Sequence, residues 1–405
     1  MANVVSFIVG NKGLNIGGTI MNNFRYHAYT DIRFGKDEIM ALPELVEPYG
    51  KKILMVYGGG SIKKNGIYQK VYELLSDCEI FELSGIEPNP KIESVREGAK
   101  LCKDNGIELV LAIGGGSVID ASKVIAGGAF YDGDPWDLVT DASKIGKVLP
   151  IITILTLAAT GSEMNKNAVI SNMSTNEKLG TSSHYFKPQA SICDPSYLFT
   201  LPAHQTAAGT ADIMSHVFEQ YFQKQTEAYL SDRFAESILK TCIKYCPIAL
   251  AKPDDYEARA NLMWASTQAL NGLISSGKGG AWTCHPIEHE LSAFYDITHG
   301  VGLAIVTPRW MRYILNEDTV EKFAEYARNV WDMVEDDDWK CANMGIDATE
   351  EFFRKCGIPM TLTEVGIDDS KLEVMAEDAV KFGGLGNAYV ALNKDDVVTI
   401  LKNSL

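Results

Sequence analysis

The chain reads as an α/β half followed by an all-helical half, and three features of the sequence predict this. Short β-branched runs alternate with amphipathic helical patterns through the first half. Glycine-rich turns close several of those runs. Beyond Pro202 the apolar residues recur at helical spacing, with almost no strand-like run between them. The alternation predicts a Rossmann-like parallel sheet with helices on both faces. The expected division is an α/β nucleotide domain over 21–201 and a helical domain over 202–405, in keeping with a 405-residue chain of two or more domains.

The strand-like runs are ILMVY at 53–57, EIFEL at 79–83, LVLAI at 109–113 and VLPIITILT at 148–156. Amphipathic stretches to Leu75 and from Pro90 to Lys103 alternate with them, which is the pattern of βαβ units. A proline-marked, turn-rich junction from Asp194 to Pro202 separates the halves. Helical segments then follow at about 203–222, 226–248, 255–275, 281–296 and 317–335. Residues 1–20 read as a strand, a Gly-Asn-Lys-Gly turn and a second strand, an extension with no assignable chemistry.

Composition narrows the function. The chain is 46% hydrophobic and 22% charged, with a formal net charge of -16, so it lacks the clustered cations that hold nucleic-acid phosphates. Its eight cysteines are scattered without a C-x-x-C pair, which points to a reducing cytoplasm. Cys242 and Cys246, one helical turn apart, read as packing residues. No apolar run is long enough to span a membrane, and the run Val4–Val9 is too short and lacks the basic residue of a secretion signal.

Three polar loops fall at strand carboxyl ends. The first is Gly58, Gly59, Gly60 and Ser61, followed by Lys63 and Lys64. The second is Gly114, Gly115, Gly116 and Ser117, with Asp120 in the next helical turn. The third holds Thr156, Thr160 and Ser162. Glycine lets backbone approach a diphosphate, and a helix start supplies free N–H groups. Each glycine loop alone is more often a tight turn than a nucleotide site; three polar loops on one sheet edge suggest a nucleotide.

Asp212 and His216 lie four apart on one helix, His285 and His289 repeat the spacing, and His299 follows. A carboxylate with several imidazoles suits zinc or ferrous iron, although any one of these residues alone is more simply a packed side chain. The position after His285 is Pro286, so the Glu that serves as base in zinc proteases is missing.

These motifs, YGGGSIKKNG, AIGGGSVIDASK, TLAATGSEMN, GTADIMSHVFEQY, HPIEHEL and THGVGLAIV, resemble the iron-containing, group III alcohol dehydrogenases from about Met21 to the C-terminus, in the NADPH-dependent butanol dehydrogenase and broad-range aldehyde reductase branch. The resemblance implies a dehydroquinate synthase-like fold with its site between the domains. It implies one Fe2+ or Zn2+ on Asp212, His216, His285 and His299, with His289 relaying protons beside the substrate. It also implies a nicotinamide cofactor on the three loops, with Lys178 added to that set, and a homodimer or larger assembly. The first loop offers Ser61, Lys63 and Lys64 and no acidic residue before Glu73, which favours NADP(H). No Lys or Arg occurs from Gly279 to Pro308 or from Phe199 to Phe222, so the expected substrate is a small, uncharged, mainly aliphatic alcohol or aldehyde, with Trp282, Phe294 and Tyr295 as candidate walls. The alternatives are a dehydroquinate synthase-like lyase and a nucleotide- and metal-binding regulatory module without turnover.

Overall fold

The computed structural model describes residues 20–225 and 227–405; the strand–turn–strand expected of residues 1–20 lies outside them, Ile20 apart. Six parallel strands form the sheet: β1 (Asp31–Phe34), β2 (Lys52–Tyr57), β3 (Glu79–Leu83), β4 (Leu109–Gly114), β5 (Ile151–Leu155) and, after a hairpin of β6 (Asn167–Asn172) and β7 (Glu177–Ser182), β8 (Ala190–Cys193). Their order is β1-β8-β5-β4-β2-β3. Central β4 is buried at all six positions, because helices cover both faces of a parallel sheet, whereas edge strand β3 carries Glu79 and Glu82. The chain runs outward in opposite directions from the β2–β4 pair. The crevice at the carboxyl ends of that pair, where the Gly58 and Gly114 turns emerge, is where such sheets take ligands.

The sequence reading missed β1, β8 and the hairpin. β1 and β8 have four residues each, too short for periodicity to register. The antiparallel hairpin turns at Met173–Asn176, with Asn176 at φ 51°, the left-handed conformation that asparagine tolerates.

The helical half packs around the helix Ala203–Tyr221, which is buried without a break from Thr206 to Tyr221. Its neighbours include Tyr229–Ala251, Tyr256–Ala269, Cys284–Tyr295 and His299–Ile314. Cys242 and Cys246 sit fully buried in this core, and Cys246 Sγ lies 3.7 Å from Cys356 Sγ. The helix His299–Ile314, absent from the helical segments read in the sequence, begins His-Gly-Val-Gly and contains Pro308, residues that weaken a helical pattern. Its glycines serve close packing. A Cβ on Gly300 would overlap the Ala208 carbonyl, and one on Gly302 would meet Glu288 Cγ at 2.8 Å. Bare backbone there draws three helices together and carries His299 toward Asp212.

Gly300→Ala is therefore expected to cost about 1–3 kcal/mol in denaturant unfolding, as overpacking does. Exposed Gly386 has open space around its Cβ position and a permissive backbone, so Gly386→Ala should stay within about 0.5 kcal/mol of the parent. Equal stabilities for the two variants would refute the packing role.

Candidate metal and cofactor site

One cavity of about 810 Å³ lies between the halves. Glycine loops form one wall and the histidine-bearing helices the other. Of the first loop only Gly59 reaches the cavity, and its Cβ position is open. Gly60 turns at φ 94°, while Gly58, Ser61, Lys63 and Lys64 stand outside the wall. Lys63 Nζ rests 4.5 Å over the Tyr68 ring. Tyr57, Tyr68 and Tyr72 donate their hydroxyls to Glu82 at 2.6, 2.7 and 2.6 Å. Although burial opposes it, these bonds hold the Glu82 carboxyl below its ordinary range.

Gly115, Gly116, Ser117 and Asp120 line the cavity from the second loop, and Thr160 and Ser162 from the third. Gly114 packs beneath Val118, and Thr156 lends its N–H to the Gly114 carbonyl at 3.0 Å. A Cβ on Gly115 would meet Leu157 at 2.9 Å, and one on Gly116 would overlap Thr160, so these glycines first serve contact between the two loops.

Asp120 is more than a helix-start charge. It accepts Ser162 Oγ at 2.5 Å and the Val169 N–H at 2.9 Å, and burial raises its pKa. Lys123, one turn on, donates to Ser162 Oγ at 2.7 Å, Asn165 Oδ1 at 3.0 Å and the Asn167 carbonyl at 2.7 Å, with its pKa pushed down by burial to about 8. The sequence reading passed over Lys123 and Asn165. A lysine one turn after Asp120, in a helix otherwise made of small and apolar residues, was the available signal.

On the opposite wall the four expected metal ligands converge. Asp212 Oδ1 lies 3.3 Å from His216 Nδ1, 3.9 Å from His285 Nε2 and 3.6 Å from His299 Nε2. The donor atoms of Asp212, His285 and His299 all fall within 4.8 Å of one another. His216 stands beside them, its ring centroid 4.6 Å from that of His285. Asp212 Oδ1, His216 Nδ1 and His285 Nε2 are buried without a hydrogen-bond partner. Burial pushes the Asp212 pKa up to about 7 and drives those of His216 and His299 well below the ordinary imidazole range. Imidazole nitrogens without partners of their own around a buried carboxylate are a donor set for a divalent cation.

His289 also lines the cavity, its ring 6.4 Å from His285 and 5.7 Å from His299, and burial likewise lowers its pKa well below the usual range. Lys178, delivered by β7, has its Nζ 3.3 Å from both Glu288 Oε2 and His299 Nδ1. It is the only Lys or Arg lining the cavity among the described residues. Of the candidate aromatic walls, Trp282 lines the cavity, 4.7 Å from the His285 ring. Phe294 and Tyr295 do not; they pack against the helical core under Lys371 Nζ, at 5.3 and 5.0 Å. Among the described residues no helix is long and apolar enough to cross a membrane.

The family model for iron-containing alcohol dehydrogenase matches residues 30–195, and that for the C-terminal part of the Fe-containing alcohol dehydrogenase family matches residues 206–405. The chain is 56% identical over 388 residues to NADH-dependent butanol dehydrogenase A of Clostridium acetobutylicum, covering 95% of this chain and all of that one. It is 41% identical over 369 residues to the NADPH-dependent aldehyde reductase YqhD of Escherichia coli, covering 90% and 94% of the two chains. The crystal structure of NADH-dependent butanol dehydrogenase A from Thermotoga maritima superposes with a TM-score of 0.91 at 41% identity, over 95% of this chain and 99% of that one. Sheet order, interdomain cavity, converging ligands and these matches lead to one assignment: the chain belongs to the iron-containing alcohol dehydrogenase family.

Proposed function

We propose that the chain transfers hydride between NADP(H) and a small, uncharged, mainly aliphatic alcohol or aldehyde, as a butanol dehydrogenase-like aldehyde reductase. The observation that carries this reading is the set of orphaned donors, Asp212 Oδ1, His216 Nδ1 and His285 Nε2, buried in the wall opposite the glycine loops of a single cavity. Asp212, His216, His285 and His299 would hold one Fe2+ or Zn2+, which when bound supplies Lewis-acid polarisation of the substrate oxygen. Gly59 leaves room for a diphosphate, and the start of the helix Gly116–Gly128, seated against the third loop by Gly115 and Gly116, offers it free N–H groups. His289, neutral and in the cavity wall, exchanges a proton with the substrate through a ring nitrogen.

The substrate class rests on charge. Among the described residues Lys178 is the lone cation in the lining, and its ion pair with Glu288 neutralises it, so they form no basic pocket for a phosphate or carboxylate. That also weighs against a lyase acting on a phosphorylated sugar acid. The NADPH preference rests on the first loop, where Lys63 and Lys64 are exposed and no carboxylate is present. The nearby Glu82 has its acceptors taken by three tyrosines. The names of the relatives divide between NADH and NADPH. We place the enzyme in the cytoplasm, where its eight free thiols stay reduced, as a homodimer or larger assembly.

His285→Ala should lose bound metal and turnover together. His289→Ala should keep its metal and lose about 10²–10⁴-fold in kcat, the range of general acid–base catalysis. Metal analysis beside steady-state rates checks both, and a fully metallated, active His285→Ala protein would overturn the ligand assignment.

Gly59→Ala should leave the unfolding midpoint of the free protein unchanged, because its Cβ meets nothing within 4 Å, yet weaken cofactor binding by about tenfold or more. An unchanged Kd for NADPH in fluorescence titration would remove Gly59 from the cofactor site.

Specificity constants should favour NADPH over NADH, and butanal over a carboxylated aldehyde of equal length. Preference for NADH would refute the reading of the first loop, and preference for the anionic aldehyde would refute the uncharged pocket.

A further inference from the structure

Two buried carboxylates, Glu219 and Glu288, stand behind the donor set; Glu288 also lies within 4.8 Å of donor atoms of His289 and His299. Glu219 lies about two turns along the helix Ala203–Tyr221 from Asp212. It is 3% exposed and meets no Lys or Arg among the described residues. Its Oε2 accepts the Thr283 N–H at 2.7 Å; its Oε1 faces the His285 N–H at 2.9 Å and His285 Nδ1 at 3.1 Å. Glu288, fully buried, holds His299 Nδ1 in a short contact through Oε2 and accepts Ser292 Oγ through Oε1. Lys178 Nζ reaches the same Oε2 at 3.3 Å.

A carboxylate against Nδ1 places the imidazole proton there and leaves the lone pair on Nε2. In both histidines Nε2 is the nitrogen turned to Asp212 Oδ1, at 3.9 Å for His285 and 3.6 Å for His299. The two carboxylates thus favour this tautomer and ring orientation before any ion arrives; at His299 the Lys178 ammonium, 3.3 Å from the same Nδ1, competes with the closer Glu288 contact. They differ in one respect. Glu219 spends its remaining capacity on backbone N–H groups, whereas Glu288 is bonded to Lys178, which lines the cofactor cavity.

We propose that Glu219 and Glu288 are metal-positioning residues, each holding one ligand imidazole by its Nδ1 proton, and that Glu288 alone also couples the metal site to the cofactor cavity through Lys178. The proposal rests on the reading that an ion sits among Asp212, His216, His285 and His299.

The test loads the full chain with Co2+, whose visible d–d bands report coordination geometry, and follows three quantities: the band positions, the rate of Co2+ release to EDTA, and the Kd for NADPH. Glu219→Gln and Glu288→Gln should both shift the bands and weaken metal retention by about 10–100-fold, the usual effect of losing the carboxylate behind a ligand histidine. Only Glu288→Gln should also change the Kd for NADPH. Glu219→Asp and Glu288→Asp keep the charge at a shorter reach; they should retain metal better than the Gln variants and serve in place of any Gln variant that does not fold. Wild-type bands and release rates in both Gln variants, while His285→Ala loses its metal, would overturn the proposal and leave the ligand assignment standing. So would metal loss that only tracks a lower unfolding midpoint of the metal-free protein, with unshifted bands in the fraction still loaded. An equal effect of both Gln substitutions on the Kd for NADPH would overturn the coupling through Lys178. Full metal retention by His285→Ala would instead refute the underlying site.

Discussion

A carboxylate taken out of water with one oxygen left unpartnered is the constraint around which the helical half is built. Asp212 is 3% exposed, and its Oδ1 has imidazole nitrogens around it where a hydrogen-bond donor or a cationic side chain would ordinarily stand. An uncompensated buried charge costs several kcal/mol, which a fold does not carry without return. The Asp120–Lys123 cluster across the cleft shows the other way of burying charge. There the carboxylate oxygens and the ammonium all find partners within the protein, and nothing is left open. Two buried ionic groups a short way apart thus serve different ends: one closes the scaffold beneath the loops, and the other stays open to a ligand.

Glycine makes this geometry possible in two distinct senses. Gly300 and Gly302 bring helices within reach of each other, so their missing side chains are spent on protein–protein contact. Gly115 and Gly116 likewise seat the second loop against Leu157 and Thr160. Gly59 faces empty space instead. The same residue type in the same kind of motif therefore carries different meanings, which no reading of the motif alone could separate.

The sheet and the long helices were legible because period-2 and period-3.6 patterns survive over enough residues, and Asp212 with His216 and His285 with His289 because spacing of four fixes a shared helix face. Four-residue strands offered no such signal. The helix His299–Ile314 was hidden by the glycines that its packing requires, and Pro308 strengthened the disguise. Side-chain direction was also out of reach. Trp282, Phe294 and Tyr295 look alike as aromatics near a histidine pair, and only the fold turns the first toward the cavity and the other two into the core. Glu219 and Glu288 passed unnoticed because a carboxylate on a helix reads as a solvated charge until its burial is known.

The β6–β7 hairpin, inserted between β5 and β8 yet reaching the helical half, has a consequence for the order of assembly. Its Lys178 meets Glu288 across 110 residues of chain, so the pair is a long-range contact whose formation bears the full entropy of loop closure. During synthesis the sheet strands emerge well before the helices that carry His285 and His299, and the N-terminal half can gather its hydrophobic clusters first. The donor set, by contrast, waits for the last of its helices and for the hairpin to dock on them. At the proposed metal site, binding by the whole donor set would then wait for the helix His299–Ile314, the last in the chain to bring a donor.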